Sequence, residues 1–536
     1  MTVARELRGV TRAPWRRPSG LRSPRCRTLA SAAAPAPSQA ADGAWRRSLL
    51  SGKTLPTLKT DAAASITASE ALLVRGGLVQ KSSAGIYNFL PMGYRVLEKL
   101  ERLVARHMDG VPGAERVRMA QLLPAHTWRT TGRLAADADA GQPSEKMMLR
   151  DRKNALFLLA PTHEEEVTSM LAGHTLSPRT LPKRLYQISL KFRDELRTRG
   201  GLLRSREFLM KDLYSFDVDA AAAQASYAAV MAGYEALWTA LGIAPKRVAA
   251  DNGEMGGTTS DEYHLLSPVG EDTLVVCPSC DHAAIATDGA AIAIDIAAPA
   301  DGTAAAAAAT TTTPATAASA LCAQCGTPFD RAAHTHRAIE VGHLFDLGTR
   351  YSVPLGATYT DAAGRAVPAH MGSYGIGVTR LMAALLELGH AAAAAAAAAA
   401  PASATTAAPN RAYWPEAVAP YRVALAAVPA GGSGADDAVA AATRRVFEAI
   451  TAAVPALAGD VLVDDRRGRR FGEKMSDLEL IGVPYIVILG KRFLASGQAE
   501  VRVQKLGPGH TIVSETHHVA EADLPAYFAR VLAAAP

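Results

Sequence analysis

Residues 185–195 alternate in character. Tyr186, Ile188, Leu190 and Phe192 fall on one side, and Gln187, Ser189, Lys191, Arg193 and Glu195 on the other. This is the period of a strand with one apolar and one polar face. Residues 196–205 follow, with Gly200, Gly201 and three arginines, Arg197, Arg199 and Arg204, and a second short run opens at Arg206. The pattern predicts an antiparallel hairpin with a mobile basic tip. Elsewhere the period lengthens to that of a helix. Val96, Leu97, Leu100, Leu103, Val104 and Met108 share one side, as do Val378, Leu381, Met382, Leu385 and Leu386. Two short apolar runs, 461–463 and 485–489, lie near the end, and the second fits a buried strand between helices.

These elements divide the chain. Patterned sequence starts near Lys53 and runs to about 290, and it resumes over 321–387. Residues 298–320 are Ala/Thr-rich and of low complexity, which predicts a flexible loop. A second biased stretch, 391–411, reads as a linker. Beyond it, 412–536 reads as a small separate α/β domain. The resulting segments are 1–47, 48–390 with an insertion at 272–339, 391–411 and 412–536. No run of 18 or more bulky apolar residues occurs, so no membrane span is expected.

With 49% hydrophobic and 20% charged residues, the composition is that of a soluble globular protein. The net charge of +6 is unevenly placed. Residues 1–50 hold ten Arg, no Lys and two acids, Glu6 and Asp42, a formal +8 that leaves the rest of the chain at −2. An Arg-, Ala- and Ser-rich, acid-poor leader without a continuous apolar core predicts an organelle transit peptide; a disordered tail is the plainer alternative. In a near-neutral body, nucleic-acid contact must come from a local patch. Four of the five cysteines form two CxxC pairs, Cys277/Cys280 and Cys322/Cys325. Each pair has knuckle spacing, which lets two thiolates reach one zinc ion at about 2.3 Å. With four protein ligands such a site would be structural. Reduced thiol turns are the alternative.

Three segments carry candidate chemistry. A basic loop over a polar sheet face suits a polyphosphate, though charge runs are often only solvated faces. In 372–387, glycines at 372, 375 and 377 permit close backbone approach, and Arg380 sits in the first turn of the following helix, where anions are favoured. A tight helix–sheet turn would use the same glycines. In Pro161-Thr162-His163-Glu164-Glu165-Glu166 the acids suit a solvated helix start. Alternatively, Glu164 with Thr162 could receive an ammonium group.

Taken together, these segments resemble class II aminoacyl-tRNA synthetases. FRDE followed by RSREF is similar to motif 2, MGSYGIGVTR to motif 3, and the 96–108 stripe to the motif 1 helix of the dimer interface. The more specific resemblance is to prolyl-tRNA synthetases. TLPTLK (54–59), GIYNFLPMGYRVL (85–97), PTHEEE, RSREFLMKDLYSF (204–216), GGTTSDEY (256–263), EVGHLFDLGTRYS (340–352) and WPEAVAPY (414–421) carry it over roughly 48–536. The body is most similar to the bacterial-derived mitochondrial type, which lacks the large editing insertion.

The resemblance implies an α+β fold: an antiparallel-sheet catalytic domain and a C-terminal mixed α/β anticodon-binding domain. It implies proline activation by ATP with Mg²⁺, transfer to tRNA(Pro), a homodimer and the mitochondrial matrix, with a plastid or dual targeting as alternatives. Arg193 would hold the α-phosphate and the proline carboxylate. Glu195 and Phe208 would hold adenine, and Arg380 the γ-phosphate. Thr162 and Glu164 would bind the imino group, Gly256 and Gly257 would shape the ring pocket, and Glu340 would ligate Mg²⁺. Asp465, Arg466 and Lys474 match the segment near the anticodon. Three positions depart from the family's pattern: Ala120 for the motif 1 proline, Ser373 for a motif 3 cysteine, and Asp346 for a polar or aromatic residue near ATP. A threonine or serine enzyme of the same class, or a synthetase-like protein without catalysis, are the rival readings.

Overall fold

Strands β2 (Lys183–Phe192) and β3 (Glu207–Asp217) form the expected hairpin, in register from Lys183↔Phe216 to Phe192↔Glu207. In this computed structural model, residues 37–54, 57–58, 67–139, 144–174, 176–286, 319–399 and 411–533 are described. The transit peptide expected over 1–47 and the loop over 298–320 lie largely outside them; a helix spans Pro37–Ser48 and a strand Ser319–Leu321.

Both faces of β2 are enclosed along much of its length: Tyr186 of the apolar face is buried in the core beneath the helices, and the polar face is buried as well. Gln187, Ser189 and Lys191 are enclosed, whereas Leu190 of the apolar face is 42% exposed. Burial of these groups is tolerable because they satisfy one another. Lys191 Nζ donates to Asp212 Oδ1 at 2.7 Å and to Ser189 Oγ at 2.6 Å, and Gln187 donates to Asp212 Oδ2 at 3.0 Å. The hairpin tip, expected to be mobile, is turned by glycines and carries ion pairs. Gly200 and Gly201 turn at φ +59° and +65°, where only glycine is unstrained, and Arg204 pairs with Glu195 and Glu271 at 2.7 and 2.9 Å.

The hairpin belongs to a nine-stranded sheet completed by β1 (Ala114–Arg116), β4 (Lys246–Ala249), β5 (Thr259–Leu266), β6 (Asp272–Val276), β7 (Ala283–Ile285), β8 (Thr335–Gly348) and β9 (His370–Gly377). The order is β7-β6-β8-β9-β3-β2-β1, with β5 bridging β8 and β4. All pairings are antiparallel except β1 with β2. Three helices cover one face: α1 (Pro91–Asp109), α2 (Ala220–Leu241) and α3 (Val378–Ala399). The α1 stripe from Val96 to Met108 is consumed by this chain's own core, together with Tyr234, Trp238 and the Leu381–Leu386 stripe of α3. The linker expected from 391 begins too early, since Ala391–Ala399 continue α3. Alanine has the highest helix propensity, so a low-complexity alanine run extends a helix that packing has already nucleated. By length and composition α3 could cross a membrane, yet Leu381–Leu386 are buried in the core.

The C-terminal sheet contains β10 (Val423–Ala427), β11 (Val461–Asp464), β12 (Tyr485–Leu489), β13 (Gln498–Leu506) and β14 (Ile512–Ala520). Its order is β11-β10-β12-β13-β14, parallel in the first three strands and antiparallel beyond. Helices α4 (Ser433–Ala453) and α5 (Phe471–Ile481) connect β10 to β11 and β11 to β12. Both 461–463 and Tyr485–Leu489 are strands, as their apolar runs predict.

Candidate active site

A cleft of about 340 Å³ opens on the sheet face opposite the helices. Its floor is set by the hairpin: the alternation that buries Lys191 carries Arg193 to the rim, and Phe208 lies beside it with its ring centroid 5.2 Å from the guanidinium carbon. Across the floor, the close-packed glycines of β9 bring Arg380 in from the start of α3. Its Nε donates to Leu203 O at 2.9 Å and its Nη1 to Glu340 Oε2 at 2.8 Å. Burial, and then the neighbouring Arg380, lower the pKa of Arg193. Two guanidinium groups lining one cleft make a receptor for an anion. Burial alone would raise Glu340, but His343 and Arg380 hold its carboxyl below the usual range.

The other end of the cleft is formed around a buried carboxylate. Glu164, only 1% exposed, accepts from Thr162 Oγ1 at 2.7 Å, Arg133 Nη1 at 3.2 Å and Ser373 Oγ at 2.9 Å. Arg133 also meets Glu165 at 3.2 Å and lies over the Trp128 ring at 4.6 Å. Burial works against Arg133, but its two carboxylates raise its pKa; Glu165 is raised, chiefly by burial. Behind Thr162, the His163 backbone N–H donates to Tyr214 Oη at 2.9 Å, and that hydroxyl donates to Asp212 Oδ2 at 3.1 Å. The pocket is thereby anchored to the hairpin's buried polar network.

Thr162, Glu164, Arg193, Glu195, Phe208, Glu340 and Arg380 thus share one cleft. Gly256 and Gly257 do not line it. At φ +68° and +103° they sit behind the wall formed by Glu254 and Met255, where a Cβ on Gly257 would collide with the Asp346 carbonyl. The pattern of hydrophobic positions missed Arg133, which occupies an unpatterned stretch. The signal was indirect: consecutive buried acids require a cation. Asp346 is held by Gln224 and Gly348 N at 2.8 and 3.1 Å. Ser373, a departure from the family's pattern, supplies a direct hydrogen bond to Glu164.

A cluster of cysteines lies outside the cleft, and a second group of possible metal ligands lies within it. Cys277 Sγ is 3.7 Å from Cys325 Sγ, and Cys280 Sγ is 3.5 Å from Cys322 Sγ. The four ligand atoms lie within 4.8 Å of one another, on turns beside β6 and β7. Glu262, Glu340 and His343 form the second such group among the described residues. In the C-terminal domain Arg466 forks onto Asp464 at 2.9 and 2.7 Å, and buried Lys474 donates to Asp464 O at 2.9 Å.

The tRNA synthetase class II core domain (G, H, P, S and T) matches residues 147–388, and an anticodon binding domain matches 439–516. The fold is that of a class II aminoacyl-tRNA synthetase. A probable mitochondrial proline–tRNA ligase of Rattus norvegicus is 36% identical over 427 residues, 80% of this chain and 78% of the relative. The proline–tRNA ligase of Parvibaculum lavamentivorans is 37% identical over 458 residues, 85% and 96% of the two chains. The chain belongs to the proline–tRNA ligase family. The Giardia lamblia prolyl-tRNA synthetase in complex with prolyl-adenylate has the same fold, with a TM-score of 0.61 at 17% identity, covering 87% of this chain and 80% of that one.

Proposed function

We infer that this cleft activates proline with ATP and passes the prolyl group to tRNA(Pro) for organellar translation. One observation carries the reading: a closed acid–hydroxyl pocket (Glu164, Thr162, Ser373) opens directly onto the paired arginines Arg193 and Arg380 and the Phe208 ring. The pocket suits a small cationic imino group, and the rim suits a polyphosphate beside a planar base.

In the first step the proline carboxylate attacks the α-phosphorus, forming the acyl–phosphate bond and releasing pyrophosphate. In the second, a hydroxyl of the tRNA's terminal ribose attacks the prolyl-adenylate carbonyl and AMP leaves. The first nucleophile is already an anion, so the chain needs no base there. Its residues position reactants and stabilise charge. Arg193 bridges the proline carboxylate and the α-phosphate, Glu195 and Phe208 hold adenine, and Arg380 holds the γ-phosphate. Gly256 and Gly257 keep the ring pocket small from behind. Mg²⁺, held by Glu340 with Glu262 as second carboxylate, would neutralise phosphate charge; both supply the hard oxygen ligands it prefers. The two CxxC turns fit one structural zinc, since tetrahedral thiolates at about 2.3 Å from the ion stand about 3.8 Å apart. Asp465, Arg466 and Lys474 lie in the domain that reads the anticodon. The working form is a homodimer in the mitochondrial matrix.

ATP–pyrophosphate exchange with each of the twenty amino acids tests the function. Exchange should depend on proline. Threonine- or serine-dependent exchange would move the substrate, and none at all would leave a binding protein. Residues 1–50 fused to a fluorescent reporter should reach mitochondria; a plastid signal would revise the location.

A further inference from the structure

The segment that follows the basic leader is built into the C-terminal domain. Leu49 pairs in parallel with Val463 on the edge strand β11. Leu50 is 2% exposed within the core. Trp45 packs edge-on against Phe447 of α4, with centroids 5.3 Å apart at 72°. Polar contacts then single out two acids. The Ser51 backbone N–H and hydroxyl donate to the two oxygens of Asp465 at 2.8 and 2.5 Å. Thr57 Oγ1 donates to Asp477 Oδ1 at 2.8 Å, and the other oxygen of Asp477 accepts from Arg466 Nη1 at 2.7 Å. Beside these contacts a cleft of about 240 Å³ is lined by Trp45 and Leu49 on one side and by Asp465 and Arg467 on the other.

We propose that Trp45–Ser51 and Thr57 form a positioning strap for anticodon recognition. The strap fixes the Asp465 carboxylate and, through Asp477, braces the Arg466 guanidinium already forked onto Asp464, and it supplies one wall of the cleft beside them. The physical reason is economy of freedom. A carboxylate at a domain surface samples several rotamers, and two donors from one residue leave it one. The inference deepens the reading of this domain as the anticodon reader and rests on it. It also means that removal of the leader must stop before Trp45 if the enzyme is to read its tRNA.

The test uses the full chain carrying Ser51→Ala with Thr57→Ala, assayed with a tRNA(Pro) transcript and with an anticodon-substituted one. The variant should raise KM for tRNA(Pro) roughly tenfold, the scale of a lost hydrogen bond to a charged group. Discrimination between the two transcripts should narrow, while kcat and proline-dependent pyrophosphate exchange hold. Ser51→Thr, which keeps the hydroxyl, should restore KM. Wild-type KM and discrimination in the double variant would overturn the proposal, as would a matching loss of exchange, which marks general damage. A wild-type enzyme that charges both transcripts equally would remove the anticodon reading, and the strap with it.

Discussion

Ser373 donates its hydroxyl hydrogen to Glu164 Oε1 at 2.9 Å, joining residues 209 positions apart in sequence. Removing the hydroxyl leaves a buried carboxylate one donor short, at a cost of about 1–3 kcal/mol. Ser373→Ala should therefore raise the KM for proline several-fold to a hundredfold in pyrophosphate exchange, with KM for ATP unchanged. An unchanged proline KM would show that Glu164 is held well enough by Thr162 and Arg133.

Arg133 is the only cation within ion-pair reach of Glu164 and Glu165 among the described residues. Arg133→Ala strands two buried acids and should cost about 3–5 kcal/mol of stability, read as a fall in Tm together with loss of proline-dependent exchange. A variant that melts like wild type would mean that the acids protonate or find water at little cost.

Arg193 and Arg380 both line the cleft proposed to hold the phosphates of ATP. Each changed singly to Ala should lose about 10²–10³ in the rate of adenylate formation, as for one preorganised charge donor. Unchanged exchange in both would refute the assigned roles.

Lys99 of α1 lies 2.6 Å from Asp460, which also takes Arg95 at 3.1 Å and Arg422 at 2.8 Å. Burial lowers its pKa to about 8, from 10.5. The unfolded chain then binds more protons between those values, so the native state gains stability as pH rises from about 8 towards 10.5. Relative to Lys99→Met, the wild-type Tm should climb over that window and stay parallel below it. A flat difference from pH 7 to 10 would contradict the shift.

Elemental analysis of purified protein should find close to one zinc per chain, lost in the variant carrying Cys277→Ser and Cys280→Ser. Because the cysteines lie outside the cleft, that variant should melt earlier while folded enzyme keeps pyrophosphate exchange. Metal-free wild-type protein with unchanged melting would leave the turns as reduced thiols.

Periodicity and short motifs were enough to read the elements and most of the reactive inventory. Period-2 alternation over 185–195 specified the hairpin, period-3.6 stripes specified α1 and α3, and the motifs singled out Thr162, Glu164, Arg193, Glu195, Phe208, Glu340 and Arg380, of which Phe208 and Glu340 lie within strands and the others in the turns and helix starts that flank the sheet. That the polar face of the hairpin is buried as well as the apolar one came from the tertiary structure. Alternation separates polar from apolar side chains but does not say whether the polar side finds partners, and here Asp212 and Tyr214 from β3 with His163 from a distant turn satisfy it well enough to be buried too. Partnerships across long chain separations were equally illegible: Arg133 with Glu164, Ser373 with Glu164, and Ser51 with Asp465 each join segments whose local patterns are independent. The alanine run after Leu388 shows the converse. Its composition suggested a linker, but a helix already fixed by packing extends through residues that carry the propensity to continue it.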